Sequence, residues 1–152
     1  MQLYTTLWQD NEPVQTTAKA SFIPDLQTET PLINLYPEMR FQTLLGFGGA
    51  FTEATGSVLN QLPPEKREAI LQGYFSRDGL GYTLGRASID SCDFSLGNYC
   101  AVTDPNDTDF STMNLQHDET CLLPHLRRAQ EIAGRDIRML LAPWSPPAFM
   151  KT

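Results

Sequence analysis

Basic residues are scarce in this chain: 11 lysines and arginines stand against 18 acidic residues, a formal net charge of −7. A phosphate backbone is bound by clustered Lys and Arg, so nucleic acid is excluded as the main partner. Long apolar runs are missing too. None approaches the roughly 20 consecutive apolar residues of a membrane-spanning helix, and the opening MQLYTTLWQDNEPVQ has neither the basic nor the apolar region of a signal peptide. The expectation is a cytoplasmic protein without a transmembrane segment. Cysteine is limited to Cys92, Cys100 and Cys121, an odd and widely spaced set. That argues against a disulfide framework and predicts reduced thiols packed as small buried hydrophobes. The two histidines, His117 and His125, lack metal-site spacing and are expected on solvated surface, with no metal and no cofactor. No internal repeat or low-complexity segment is present.

What is there suits a soluble globular chain: 41% of the residues are hydrophobic and 19% charged, over a length that supports one ordinary domain with a core. Residues 1–43 are rich in Thr, Gln and Pro, with β-leaning pieces at Leu3–Trp8, Ala18–Ile23 and Leu32–Leu35 between the breaks NEP, IPD and YPE. They read as strands of a small sheet. From Arg40 the pattern alternates between strand and helix. FQTLLGFGGAF reads as a strand broken by glycines, and Thr52 is placed to cap a helix through Leu59 with Glu53 in its first turn. PPEKRE opens a second helix, with Ile70, Leu71, Tyr74 and Phe75 on one face and Gly79 available for a left-handed cap. Tyr82–Ile89 reads as a strand. A polar loop follows, then a helix with Leu122, Leu126, Ala129 and Ile132 or Ala133 at helical spacing, Pro124 in its first turn and Gly134 at its end. Asp136–Ala142 is the last predicted strand.

Strand, helix, strand, helix, strand implies parallel pairing with crossover helices. In a barrel, the strand ends GFGGAFTE, RASIDSCDFS and APWSPPAFMK share one rim. Gathered there are Arg86, Asp90, Asp93, Phe94, Trp144 and Phe149, beside the small residues Gly46, Gly48 and Gly49. An aromatic face with a carboxylate and a guanidinium suits a sugar, whose ring stacks while its hydroxyls donate to Asp and accept from Arg. The alternative is that Trp144 fills core and Arg86 pairs with an acidic neighbour for structure alone. A dinucleotide loop at Gly46–Phe51 is disfavoured because Phe51 stands where the fingerprint requires Gly or Ala. The acidic run Asp104–Asp109 is simplest as a solvated loop.

The blocks GFGGAFTEA, SCDFSLGNY and PWSPPAFMKT, in this order from about Gln42 to Thr152, resemble the amino-terminal third of glycoside hydrolase family 30, the glucosylceramidases and related β-glycosidases. The resemblance implies an α/β fold: a partial (β/α)8 TIM barrel of about three strands over residues 44–152, preceded at 1–43 by β-strands of an attached β-sandwich. It implies a retaining hydrolase of β-glycosides or glycolipids. Arg86, Asp93 and Trp144 would line the nonreducing-sugar pocket, and Phe94 and Phe149 would wall it, Phe149 standing where many members carry tryptophan. The two catalytic glutamates of the family belong to the fourth and seventh barrel strands, so this chain is expected to hold neither and to lack the carboxyl-terminal part of its barrel. Asn11-Glu12-Pro13 spells the tripeptide that often marks the acid/base, but it lies in a sandwich turn. Glu53 is assigned only a helix-start role. A non-catalytic sugar-binding module and an inactive truncated remnant remain as alternatives.

Overall fold

The computed structural model describes residues 1–24, 26–27 and 31–151, so Asp25 of the IPD break and Thr152 of the last motif lie outside the described residues. Contacts divide the chain into two units, Met1–Gln42 and Thr43–Thr152.

In the first unit, Asp10 and Asn11 have φ of 51° and 65°, the left-handed pair that closes a two-residue hairpin with the right twist. This turn joins β1 (Gln2–Gln9) to β2 (Glu12–Lys19) antiparallel, in a register that sets Leu7 opposite Val14 and Trp8 opposite Pro13. The amino-terminal ammonium of Met1 donates to the Ala20 carbonyl and the amide of Ala20 to the Met1 carbonyl, both at 3.0 Å, which fastens the open end. Two expectations are corrected. The second strand begins at Glu12 rather than Ala18, because a left-handed Asp-Asn pair turns the chain before the NEP break ends. Leu32–Leu35 forms no strand: it has no pairing partner among the described residues.

The second unit is an α/β layer structure. Its three-stranded sheet runs β3 (Gly48–Ala50), β4 (Leu84–Ile89), β5 (Arg138–Pro143), all parallel, with Ala50 opposite Arg86 and Arg86 opposite Leu140. Only three residues of the long predicted first strand pair. Gly48 lies so close to β4 that a Cβ there would overlap the Leu84 carbonyl oxygen, so the glycine is what lets this strand dock.

Between β3 and β4 run α1 (Glu53–Gln61) and α2 (Pro64–Phe75). Thr52 caps α1, its Oγ1 accepting from the Thr55 amide at 3.1 Å. Pro64 occupies the first turn of α2, where its missing N–H has no intrahelical use. The left-handed glycine after α2 is Gly81 at φ 60°, not Gly79; the Gly79 backbone instead packs on the Gly73 carbonyl. Before β5 come a short α3 (Asp118–Cys121) and α4 (Leu123–Ala133), which ends at Gly134 in the left-handed conformation with its N–H bonded to Gln130 and Glu131 carbonyls.

Leu59, Leu71, Phe75, Ala129, Ala133 and Ile137 form the core of this unit, with Phe51, Tyr82 and Met139 packed against it. Phe51 and Phe75 stack at 5.5 Å between ring centres, and Tyr82 meets Phe75 edge-on at 6.2 Å. Each such buried side chain stabilises the unit by about 1.5–3 kcal/mol. Alternation along β4 explains the layering: Gly85 and Ala87 are buried toward the helices, whereas Arg86 and Ser88 are half-buried on the opposite face. Among the described residues, no helix is long and apolar enough to cross a membrane.

Candidate active site at the carboxyl ends of the parallel strands

The carboxyl ends of β3, β4 and β5 border a cleft of about 280 Å³. Its lining is Ala50, Phe51, Thr52 and Thr55 from the first β/α unit, Arg86, Ala87, Ser88, Cys92, Asp93 and Phe94 from β4 and its loop, and Trp144 after β5. Four of the five predicted site residues are thus brought together, Arg86 and Trp144 by the parallel strands and Asp93 and Phe94 by the loop after β4. Phe149 is not. It lies in the single turn Ala148–Met150, which is separated from Trp144 by Ser145 and two prolines that carry the chain off the rim, and it does not border the cleft.

The Arg86 guanidinium lies over the Trp144 ring with Cζ 4.8 Å from its centre, a cation–π contact. Among the described residues Arg86 makes no ion pair, so its charge is not spent on the acidic neighbour a structural role would need. One face of the indole is covered by Arg86. Asp93 is exposed at the rim. Asp90, also expected there, turns away: at φ 62°, its Oδ1 accepts from the Ala101 amide at 2.8 Å and closes the loop after β4. Gly46, Gly48 and Gly49 border a second, open hollow on the sheet beside Leu84, Arg86 and Leu140, so Arg86 stands between the two spaces.

The loop after β4 is pinned by residues not predicted to matter. Glu53 is only 6% exposed; its Oε2 accepts from the Leu96 amide at 2.9 Å, and its Oε1 lies 2.6 Å from His117 Nε2. The His117 ring stacks on Tyr99, 3.7 Å between centres, and the Tyr99 hydroxyl donates to Asp118 at 2.8 Å. Burial, followed by the bond to Asp118, pushes the Tyr99 phenol well above its usual range. Glu53 is therefore more than a first-turn charge.

His125, expected on the surface, is 7% exposed. Its Nε2 faces two acceptors, Gly56 O at 3.3 Å and Asn60 Oδ1 at 3.0 Å, so that nitrogen donates. Burial pulls its pKa down. Both histidines gain partners from α1, a contact between elements distant in sequence. The three cysteines are free but half-buried rather than fully packed away. Among the described residues no cluster has a metal-ligand set. In the acidic run Asp104 and Asp109 are exposed, as read, whereas the half-buried Asp107 ties the loop by accepting from the Ser111 and Thr112 amides. The tempting Asn11-Glu12-Pro13 straddles the hairpin of the first unit, Asn11 in the turn and Glu12 and Pro13 opening β2.

Parallel β/α units with a polar, aromatic cleft at their carboxyl ends define a β/α-type enzyme domain, in which ligands bind at that end. Residues 44–152 match the glycosyl hydrolase family 30 TIM-barrel domain, and the chain belongs to that family. It is similar to the lysosomal acid glucosylceramidase of Mus musculus, 37% identical over 122 residues, covering 80% of this chain and 24% of that protein. Among solved structures, SrfJ from Salmonella typhimurium superposes with a TM-score of 0.77 at 37% identity, over 91% of this chain and 31% of that one. The endo-β1,6-glucanase BT3312 does so with a TM-score of 0.68 at 34% identity, over 78% and 26%. The chain spans about a quarter of the length of the glucosylceramidase it matches.

Proposed function

We propose that this chain forms the nonreducing-sugar pocket of a retaining β-glycoside hydrolase of the glucosylceramidase kind. The observation that carries the reading is the convergence of Arg86, Asp93 and Trp144 on one cleft. In it, the exposed Asp93 carboxylate accepts from sugar hydroxyls, which it can do with both oxygens because it makes no ion pair or hydrogen bond among the described residues. The Arg86 guanidinium, resting 4.8 Å over the Trp144 ring and making no ion pair among the described residues, presents N–H donors to the attacking carboxylate and keeps that group charged. With one indole face covered by Arg86, Trp144 meets the sugar through its N–H or its open face. Phe94 walls the cleft, and Phe149 closes over it only by a movement of the last loop.

The chemistry in this reading is double displacement. One carboxyl protonates the glycosidic oxygen; a second, about 5–5.5 Å away, attacks the anomeric carbon, and water then hydrolyses the glycosyl-enzyme. Both carboxyls are assigned to the fourth and seventh strands of a (β/α)8 barrel, of which residues 44–152 supply the first three, and the hairpin unit is assigned to an attached β-sandwich. No cofactor takes part, and the substrate is a β-glucoside or glycolipid met in the cytoplasm.

Titration of the 152-residue chain with methyl β-D-glucopyranoside, followed by calorimetry, tests the pocket: saturable binding weakened at least about tenfold by Trp144→Ala is the expected result. Equal affinity in the variant overturns it. The same chain should give no turnover of an aryl β-glucoside. Steady turnover, with a burst of released phenol, would overturn the assignment of the chemistry to the two later strands.

A further inference from the structure

Asp93 and Phe94 sit on a loop, and a carboxylate that grips hydroxyls is useful only if its backbone is held still. Internal bonds shape the loop's tip: the Cys92 amide donates to Ser95 Oγ at 3.0 Å and the Ser95 amide to the Cys92 carbonyl at 3.0 Å. They do not fix where the tip points. That comes from α1. The Ala54 amide donates to the Phe94 carbonyl at 3.1 Å, and the Leu96 amide donates to Glu53 Oε2 at 2.9 Å, so two consecutive helix residues grip both sides of Ser95.

Glu53 is itself held. It is 6% exposed, and a buried carboxylate without partners is costly enough to be expelled or neutralised. Here its second oxygen lies 2.6 Å from His117 Nε2, a close contact without hydrogen-bond geometry that is an ion pair when the ring is protonated, and the His117 ring is clamped on Tyr99, which stands on the return limb of the same loop and bonds to Asp118. The carboxylate thus bridges the outgoing limb, through Leu96, and the element beyond the return limb, through His117.

Resting on the sugar-pocket reading above, we propose that Glu53 is a positioning residue for the cleft: by binding the Leu96 amide and His117 together, it sets the loop geometry that presents Asp93 and Phe94. It touches no sugar. Its effect on ligand passes through the loop backbone.

The test uses the 15N-labelled 152-residue chain and its variants, reading Leu96 amide exchange without ligand, then affinity for methyl β-D-glucopyranoside. Glu53→Ala should speed Leu96 exchange and weaken glucoside binding, each about tenfold or more. Glu53→Gln keeps an amide oxygen for Leu96 and should recover most of both, which also covers the case in which the alanine variant does not fold. Leu59→Ala, a core truncation outside the cleft lining, should lower the melting temperature and leave affinity unchanged; a merely structural Glu53 would behave the same way, so unchanged affinity in Glu53→Ala counts against the positioning role. Unchanged Leu96 exchange in Glu53→Ala, or fast exchange with unchanged affinity, overturns the proposal. Absence of binding by the unaltered chain overturns the sugar reading instead; the Leu96 amide, read without ligand, then still decides whether Glu53 holds the loop.

Discussion

The two units hold their shape by different means. In Thr43–Thr152 the helices and sheet enclose Leu59, Phe75 and Ala129, whereas in the hairpin unit Leu7 is 53% and Trp8 73% exposed although both are as apolar as the core residues. The hairpin rests on its backbone ladder and a left-handed two-residue turn; the α/β unit rests on burial. Apolar content by itself therefore does not make a core. It takes elements that enclose it, and only the second unit has crossover helices to do so.

The contrast can be broken most directly at the largest side chains. Phe75→Ala should cost about 3–5 kcal/mol in urea unfolding, the usual range for emptying a core aromatic site. Trp8→Ala, at a side chain 73% exposed, should change the midpoint by less than about 0.5 kcal/mol. Similar losses at the two positions would end the distinction.

A smaller effect belongs to His125, whose pKa is lowered from 6.5 by burial. The unfolded chain then takes up a proton that the folded one refuses. Its contribution to stability is complete above pH 6.5 and is lost as pH falls below that value toward the depressed folded pKa. Urea midpoints followed from neutral to mildly acidic pH should show this slope, and His125→Gln should flatten it. A slope unchanged by the variant would place the proton uptake elsewhere.

The smallest effect is expected on the exposed face of α2. Hydrogen bonds from Arg128 and then Gln72 bring the Glu68 carboxyl down to about 2, so its help is present above pH 4.5 and lost as pH falls toward that lower value. Because Glu68 and Arg128 are solvated, salt screens the pair. Glu68→Gln should shift the melting temperature slightly at low ionic strength and not at all in molar salt. A shift that persists there would mean the pair is less solvated than its exposure indicates.

Legibility in the sequence follows the same division. Helical spacing, Thr52 and Gly134 as caps, and the alternation of strands with helices placed the α/β elements, because each signal is local and burial reinforces it. Arg86 and Trp144 are legible as strand-end residues because parallel register carries them to one rim, and Asp93 and Phe94 are legible as residues of the loop that follows β4, although what fixes that loop, the bonds from α1, is not. Phe149 was not, because a Pro-Pro segment takes its own course after the rim. Glu53 and His125 are not legible for one shared reason: their partners, Leu96 and Asn60, are tens of residues away, and only the folded chain sets them side by side. In the hairpin unit nearly every strand residue is exposed, so burial gives no pattern, and composition alone points to a strand at Leu32–Leu35 that pairs with nothing among the described residues.

Arg86 also limits how this sequence can vary. Its side chain is aligned by a flat indole while its backbone carbonyl takes the Phe51 amide at 2.7 Å, so its orientation is shared between neighbouring strands. Lysine would restore the positive charge and none of the planarity. A substitution ordinarily counted as mild would there leave a cation free to swivel, and the tryptophan without its lid.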